Sequence, residues 1–382
     1  MAARPGALEC PHRPPCPGCP RLGEPGVAAQ ARRALDDLAQ RAGIDPPPLL
    51  TGPPTGWRHR VRLAVRGRPA SPKVGIFQEG SHRIVDIPRC LVHHPLVNRV
   101  AAALKEAMRR TGIAPYADTT HRGFVRALQV VVERPSQRVQ VVLIANGDDP
   151  EPLAPLAAAL REALGPSLHS LWWNGNPART NVILGPHWHR WCGPEAVRET
   201  IGGACVCFPP GAFGQANLPL ADRLVEQVHA WVPDGVTLTE LYAGCGAIGL
   251  GLLPRVAAAT FNEAAPAGLR GLALGLAAAG PVLSAKAQVV AGPAAGLAGA
   301  PCAADVVIAD PPRKGLDRPL LDALAAAPPR RLVLVSCNLE AFLREADALC
   351  RGGRSRLAAL AAVALFPHTA HVETLACFDA TR

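Results

Sequence analysis

Short apolar runs closed by proline, glycine or a polar residue mark the second half of this chain. Val236-Thr237-Leu238-Thr239, Asp305-Val306-Val307-Ile308-Ala309 and Arg331-Leu332-Val333-Leu334-Val335 read as buried strands. Between them, Leu250-Gly251-Leu252-Leu253 reads as a helix, and the Ala-rich stretch 264–304 reads as helix and loops. From about Cys205 the alternation is regular βαβ, which predicts an α/β fold with a doubly wound, mostly parallel sheet. The first half is less regular. Strand-like runs at 61–65, 127–132, 138–144 and 181–184 alternate with helical patterns at 27–42, 95–110 and 152–163. That mixture predicts an α+β module, with Pro46-Pro47-Pro48 as a link inside it. Two domains are expected, 1–205 and 206–382, in a chain of 382 residues, long enough to bury a large core. No internal repeat is evident.

Chemistry-bearing residues collect at the ends of the strand-like runs. Glu240-Leu241-Tyr242-Ala243-Gly244-Cys245-Gly246-Ala247-Ile248-Gly249-Leu250 follows one of them. Glycines at 244, 246 and 249 would let a nucleotide approach the backbone, although the same pattern fits a plain strand-to-helix turn. Glu263 ends the next strand-like run, at a place where an acidic residue commonly binds ribose hydroxyls. Asp310 opens Asp310-Pro311-Pro312-Arg313, whose prolines stiffen the turn and can hold Asp310 toward a cleft. Cys337 follows a further run, and Glu373 lies in Phe366-Pro367-His368-Thr369-Ala370-His371-Val372-Glu373-Thr374. A soft nucleophile and a separate carboxylate, each at a strand end, suggest covalent catalysis. Alone, Cys337 would read as a small buried hydrophobe and Glu373 as a solvated strand residue. His368 and His371 read as polar support rather than metal ligands.

Together these pieces resemble the RNA 5-methyluridine methyltransferases. The match rests on Phe213-Gly214-Gln215-Ala216-Asn217, the loop at 240–250, Glu263, Asp310-Pro311-Pro312-Arg313-Lys314-Gly315, Ser336-Cys337-Asn338 and the stretch from Phe366 to Glu373, in family order. The resemblance implies a Rossmann-like class I methyltransferase domain after an iron–sulfur, RNA-binding module. It further implies S-adenosylmethionine as cofactor, held by Gln215, Tyr242, Gly244, Gly246, Glu263 and Asp310. Cys337 would be the nucleophile toward C6 of a uridine and Glu373 the base that removes the C5 proton. The chain departs from the family pattern at Ala243, Cys245, Gly214, Ala247 and Leu339, none of which is a reacting group. Asn217 stands where an N-cap before Pro219 would stand.

A second constellation is Cys10, Cys16 and Cys19, with Cys90 as a fourth thiol. Three cysteines in ten residues suggest a metal site, and spacing does not separate zinc from an iron–sulfur cluster, with His12, His93 and His94 close by. The resemblance implies a [4Fe-4S] cluster on the four cysteines, with a structural role. The other eight cysteines, at 192, 205, 207, 245, 302, 337, 350 and 377, are scattered. They suggest a reducing cytoplasm rather than a disulfide framework. No apolar leader is apparent, and the longest uncharged stretches are broken by glycine and proline, so no membrane partner is expected.

Charge adds a partner. A net charge of +10, from 40 basic and 30 acidic groups, favours a polyanion. Arg outnumbers Lys 36 to 4, which a G+C-rich genome explains as well. Residues 51–100 hold nine Arg or Lys against two Asp or Glu. Within them Arg58, Arg60 and Arg62 alternate with Val61 and Leu63, as if sharing one face of a strand along an RNA phosphate track. Arg313 is a further candidate for RNA contact. A monomer acting on RNA is expected, ribosomal rather than transfer RNA. Members of that family often carry a small barrel domain before the cysteines, and with Cys10 so near the start none is expected here. The alternatives are a tRNA uridine-C5 methyltransferase, a nitrogen methyltransferase, and a non-catalytic iron–sulfur RNA-binding protein.

Overall fold

A computed structural model describes residues 8–297 and 303–381. Cys302 lies outside the described residues. The chain divides into two compact units, one of residues 1–23 and 54–199, the other of 24–53 and 200–382. The boundary falls inside strand Val197–Ile201, close to the expected 205/206. The expected first domain differs in one respect: residues 24–53 pack with the second unit.

The reason lies in an apolar stripe. Ala31, Leu35, Leu38 and Ala39 recur at helical spacing in helix Ala29–Ala42 and are buried with Leu357, Leu360, Phe342 and Phe378 of the second unit. Gly43, at φ 67°, ends that helix in the left-handed region. The chain then adds a short strand, Leu49–Leu50, parallel to Ala362 and Val363. The triple proline therefore links two elements of the same unit.

The second unit is built on an eight-stranded sheet. Its order is Leu49–Leu50, Ser355–Val363, Glu373–Ala380, Arg331–Ser336, Val306–Ala309, Thr237–Leu241, Ala258–Glu263, Ala287–Ala291. Only Glu373–Ala380 runs antiparallel to its neighbours. Strand Thr237–Leu241 lies between Val306–Ala309 and Ala258–Glu263, so the winding reverses at its edge. This is the expected doubly wound, mostly parallel α/β sheet of Rossmann-like order, and its crevice opens at the carboxyl ends of the strands. Two local expectations change. The expected helix at 250–253 is a short 3-10 turn, Gly249–Leu252, and the stretch 264–304 contains strand Ala287–Ala291 besides helix Pro266–Ala279.

The first unit is a seven-stranded sheet ordered Ile84–Asp86, Ser71–Phe77, Arg60–Arg68, Val125–Glu133, Arg138–Ala145, Leu168–Gly175, His187–Cys192. Helices Pro95–Thr111 and Ala154–Leu164 cover one face. Val97, Val100 and Leu104 of the first and Leu156 and Leu160 of the second pack on Leu63, Val65, Leu128, Val130, Val141 and Leu143. Residues 181–184, expected to form a strand, form none; Val182 and Ile183 are exposed on the segment between two strands. Among the described residues no helix is long and apolar enough to cross a membrane.

Candidate active site

The second unit brings its candidate residues to one edge. Tyr242 and Gly244 follow strand Thr237–Leu241, Glu263 ends Ala258–Glu263, Asp310 follows Val306–Ala309 and Cys337 follows Arg331–Ser336. These four strands are parallel, so their carboxyl ends share one side. Glu373 reaches that side by the opposite route, because its antiparallel strand starts where the others finish. Ser336 pairs with Thr374, and Cys337 and Glu373 are the next positions outward. Opposed residues in such a pair carry Cβ atoms about 5 Å apart.

That placement sets the electrostatics of the site. Burial pushes the Cys337 thiol up; Glu373 and Asp310 push it further, and Arg313 opposes them. Glu373 is 3% exposed. Burial raises its carboxyl well above the ordinary range; Asp310 adds to the rise and Arg313 again counters it. Asp310 is raised too, by burial. Asp310 is half-buried at its surface. Burial thus favours the neutral thiol and disfavours the ionised form of both carboxyls, with the exposed Arg313 as the nearby cation. His371, whose ring meets Phe366 edge-on at 6.1 Å, also feels Arg313.

The glycine loop is held by two acidic residues. Glu263 Oε2 accepts the Gly244 N–H at 2.7 Å, and its Oε1 accepts those of Ala264 at 2.8 Å and Ala265 at 2.5 Å. Gly244, at φ +56°, has nothing within 4 Å of where a Cβ would stand. That open approach is what a nucleotide-binding loop needs. Gly249 has a different task from the one expected. Its N–H donates to Glu240 Oε2 at 2.9 Å, and a Cβ there would stand 2.2 Å from the same oxygen. Glu240 is buried, and burial pushes it up to about 8, against the pull of the Gly249 bond and with help from Asp310 and Glu263. The sequence reading missed Glu240; a carboxylate inside an apolar strand was the available signal.

The remaining cofactor candidates sit around this loop. Tyr242 adopts φ 58°, and its hydroxyl donates to Asp317 Oδ2 at 3.3 Å. Gln215 is half-buried just before helix Leu218–Ala230. Asn217 caps that helix, accepting the Leu220 N–H at 3.4 Å, and its Nδ2 donates to the Leu365 carbonyl at 3.1 Å. One side chain thus ties the Gln215 segment to the stretch that leads into Glu373. Two departures from the family pattern find reasons. Cys245 packs where Gly271 leaves room, since a Cβ at 271 would stand 2.5 Å from its sulfur. Asn338 caps helix Leu339–Arg351 through the Ala341 N–H at 3.1 Å, which places Leu339 at the first helical position. Glu345, also missed, accepts the Leu316 N–H at 2.6 Å and holds the turn after Arg313.

In the first unit, Cys10, Cys16, Cys19 and Cys90 line one small cavity of ≈ 70 Å³. Burial, then Cys90, Cys16 and Cys10 in turn, push Cys19 up to about 11, which places the thiols near one another. Among the described residues no group of three or more His, Cys, Asp or Glu is arranged to hold a metal ion. The histidines that clouded the ligand choice have other partners. His12 Nε2 accepts the Arg89 N–H at 3.1 Å, His93 Nδ1 meets Asn98 Oδ1 at 3.3 Å, and His94 Nδ1 caps helix Pro95–Thr111 through the Leu96 N–H at 3.3 Å. No disulfide joins the eleven described cysteines.

Of the three arginines expected on one strand face, Arg60 and Arg62 hold alternate positions opposite buried Val61 and Leu63, and Arg58 does not join them. Arg58 precedes strand Arg60–Arg68, pairs through its backbone with His93, and lines the thiol cavity, where its charge acts on Cys90 and Cys19. Arg60 is half-buried. Arg62 alone is exposed, donating Nε to Gln129 Oε1 at 2.7 Å. The strand starts at Arg60, two residues later than that reading needs.

No protein-family model matches the chain. It is 34% identical over 381 residues, 98% of each chain, to an uncharacterized RNA methyltransferase of Protochlamydia amoebophila. It is 31% identical over 356 residues, 92% of this chain and 78% of the relative, to another from Thermosynechococcus vestitus. Among solved structures, the tRNA (uracil-54, C5)-methyltransferase of Pyrococcus abyssi in complex with S-adenosyl-L-homocysteine shares its fold. The TM-score is 0.74 at 24% identity, over 91% of this chain and 81% of that one. The motifs' resemblance, the sheet order and the near full-length identity to the Protochlamydia protein agree: this chain belongs to the RNA methyltransferase family.

Proposed function

We propose that the protein methylates C5 of a uridine in RNA, with 23S ribosomal RNA as the target, through a covalent adduct on Cys337. The observation that carries this reading is the adjacency of Cys337 and Glu373 at the carboxyl edge of the sheet. C5 of uracil is a weak nucleophile. Addition of the Cys337 sulfur to C6 breaks the C5–C6 double bond and leaves an enolate with carbanion character at C5. S-adenosylmethionine would supply an electrophilic methyl group, to which C5 bonds as the sulfonium S–CH3 bond breaks and S-adenosylhomocysteine leaves with the electron pair. Glu373 then takes the proton from C5, the double bond re-forms and Cys337 leaves as thiolate. A carboxylate raised by burial suits that step, because it holds a proton more firmly than an exposed one. The acidic surroundings of Asp310, Glu263 and Glu373 suit a cationic cofactor, and the open face of Gly244 suits its adenosine. A nitrogen methyltransferase would have no use for Cys337.

The same reading assigns a [4Fe-4S] cluster to Cys10, Cys16, Cys19 and Cys90. Four thiols facing one cavity, with a ring nitrogen of each nearby histidine engaged elsewhere, support it over a mixed His/Cys zinc site. Its role would be to staple residues 10–19 to the sheet. The ribosomal target rests on the cysteine spacing of the resemblance. RNA containing 5-fluorouridine tests the chemistry: fluorine cannot be removed from C5 as a proton, so the adduct should persist through denaturation. Absence of the adduct with a protein that binds the RNA and S-adenosylmethionine would refute it. Mapping 5-methyluridine in ribosomal and transfer RNA from cells with and without the gene identifies the target.

A further inference from the structure

The first unit carries a second cleft, of ≈ 650 Å³, within the range of about 300–1,000 Å³ usual for small-molecule sites. Strands Arg60–Arg68, Ser71–Phe77 and Val125–Glu133 and the segment at 179–183 line it. Four arginines, at 62, 66, 126 and 179, face it against one carboxylate, Asp118. Their roles divide. Arg66 is pinned by two bonds to Asp118, Nε at 2.5 Å and Nη2 at 2.9 Å, and its guanidinium lies 5.1 Å from the Tyr116 ring centre and 5.5 Å from that of Phe77. Arg126 lies 4.6 Å from the Tyr116 ring centre and holds the carbonyls of Asn176, Ala178 and Thr180 at 2.6, 2.8 and 3.1 Å. These planes are fixed before any ligand arrives.

Arg62 and Arg179 are left over. Both are exposed, and among the described residues neither makes an ion pair. Around them stand apolar groups that water does not favour: Phe77 is 42% exposed, Ile183 43% and Val182 64%. Fixed aromatic and guanidinium planes, two cations without a carboxylate partner and an apolar rim suit a flat ring joined to a phosphate. Unpaired bases are recognised by such stacking, and the paired phosphates by such cations.

We infer that this cleft binds an unpaired nucleotide of the RNA, its base against Phe77 and its phosphates near Arg62 and Arg179. The cleft has no thiol or free carboxylate, so the nucleotide it takes is not the one that reacts. The inference rests on RNA being the substrate and is independent of where the methyl goes.

Binding of the full chain to a labelled single-stranded oligouridylate, and to the same strand in a duplex, tests it by fluorescence anisotropy. Phe77→Ala should weaken single-strand binding by about 5- to 100-fold, the loss of one base–aromatic stack, and Phe77→Trp should preserve it. Arg179→Ala, on an exposed segment that does not threaten the fold, should reduce the slope of log K against log salt by about 0.7. S-adenosylhomocysteine affinity and melting temperature should hold in all three variants. Unchanged single-strand affinity in a folded Phe77→Ala and an unchanged salt slope in Arg179→Ala would overturn the inference. An equal loss on single-strand and duplex RNA would overturn base insertion. Because the readout is binding, failure of the uracil-C5 reading would leave these results untouched.

Discussion

Cys337 and Glu373 occupy the first positions beyond the Ser336–Thr374 pair of two antiparallel strands, and the ends of those strands bring thiol and carboxylate together. Glu373 opens its strand and Cys337 is the first residue past the end of its own, so no long loop delivers either group. Both are positioned by a ladder whose inner members, Val335 and Leu375, are fully buried.

That geometry separates the two roles by substitution. Glu373→Gln should still transfer one methyl but fail to release it, lowering turnover by about 10²- to 10⁴-fold. It should leave protein joined to methylated RNA on a denaturing gel. Cys337→Ala should give neither adduct nor product while still binding S-adenosylmethionine. Turnover near the wild-type rate in Glu373→Gln would show that another group takes the proton.

Arg313 is the cation that lowers both reacting groups, against burial and Asp310. Its removal should raise both. Since Cys337 and Glu373 act deprotonated, the rising limb of the pH–rate profile should move to higher pH in Arg313→Ala. Arg313→Lys should restore most of the original position. A profile unmoved by Arg313→Ala, with RNA affinity lost instead, would assign Arg313 to RNA contact alone.

Glu240 links pH to stability. Burial first raises its carboxyl to about 8 in the folded protein, from an ordinary value of 4.5. The folded state therefore binds more protons than the unfolded state between these values. Its contribution is fully present below about 4.5 and is lost as pH rises through about 8, at no more than about 1.4 kcal/mol per pH unit. Glu240→Gln, which keeps an acceptor for the Gly249 N–H, should flatten the decline in denaturant midpoint over that window. An identical decline in the variant would mean that Glu240 is ionised when folded.

Metal content tests the thiol cavity. Anaerobically purified protein should hold about four iron and four sulfide per chain, as a four-cysteine cubane requires. Cys90→Ser, which breaks a closure across seventy intervening residues from Cys19, should lose iron and weaken RNA binding. S-adenosylmethionine affinity should persist, because Glu263, Asp310 and the glycine loop belong to the other unit. One zinc per chain in place of iron would refute the cluster.

Much of the site was legible because it lies at strand ends, and strand ends are written locally. The runs at 306–309 and 331–336 are unbroken apolar segments stopped by a polar or proline residue, so Asp310 and Cys337 could be placed at their ends from sequence. The strand at 287–291 was hidden in Ala-rich sequence. It is the edge strand, mostly exposed, and its residues carry neither alternation nor a buried run. Val182 and Ile183 misled in the opposite sense: they are apolar and β-branched, yet exposed on a segment with no partner strand.

By itself the sequence determined which side chains bear the chemistry and which backbone periodicity each segment prefers, since both depend on residues within a few positions. Only the tertiary structure decided partnership. Leu49 and Leu50 found their strand some three hundred residues onward, at Ala362 and Val363, which carried helix Ala29–Ala42 into the second unit. Arg58 fell beside the thiols instead of along an exposed strand, because its backbone pairs with His93. Gly249 proved to be small for Glu240. In each case the deciding contact joins residues that share no local period, and its free energy comes from burial or hydrogen bonding that exists only once the chain has closed on itself.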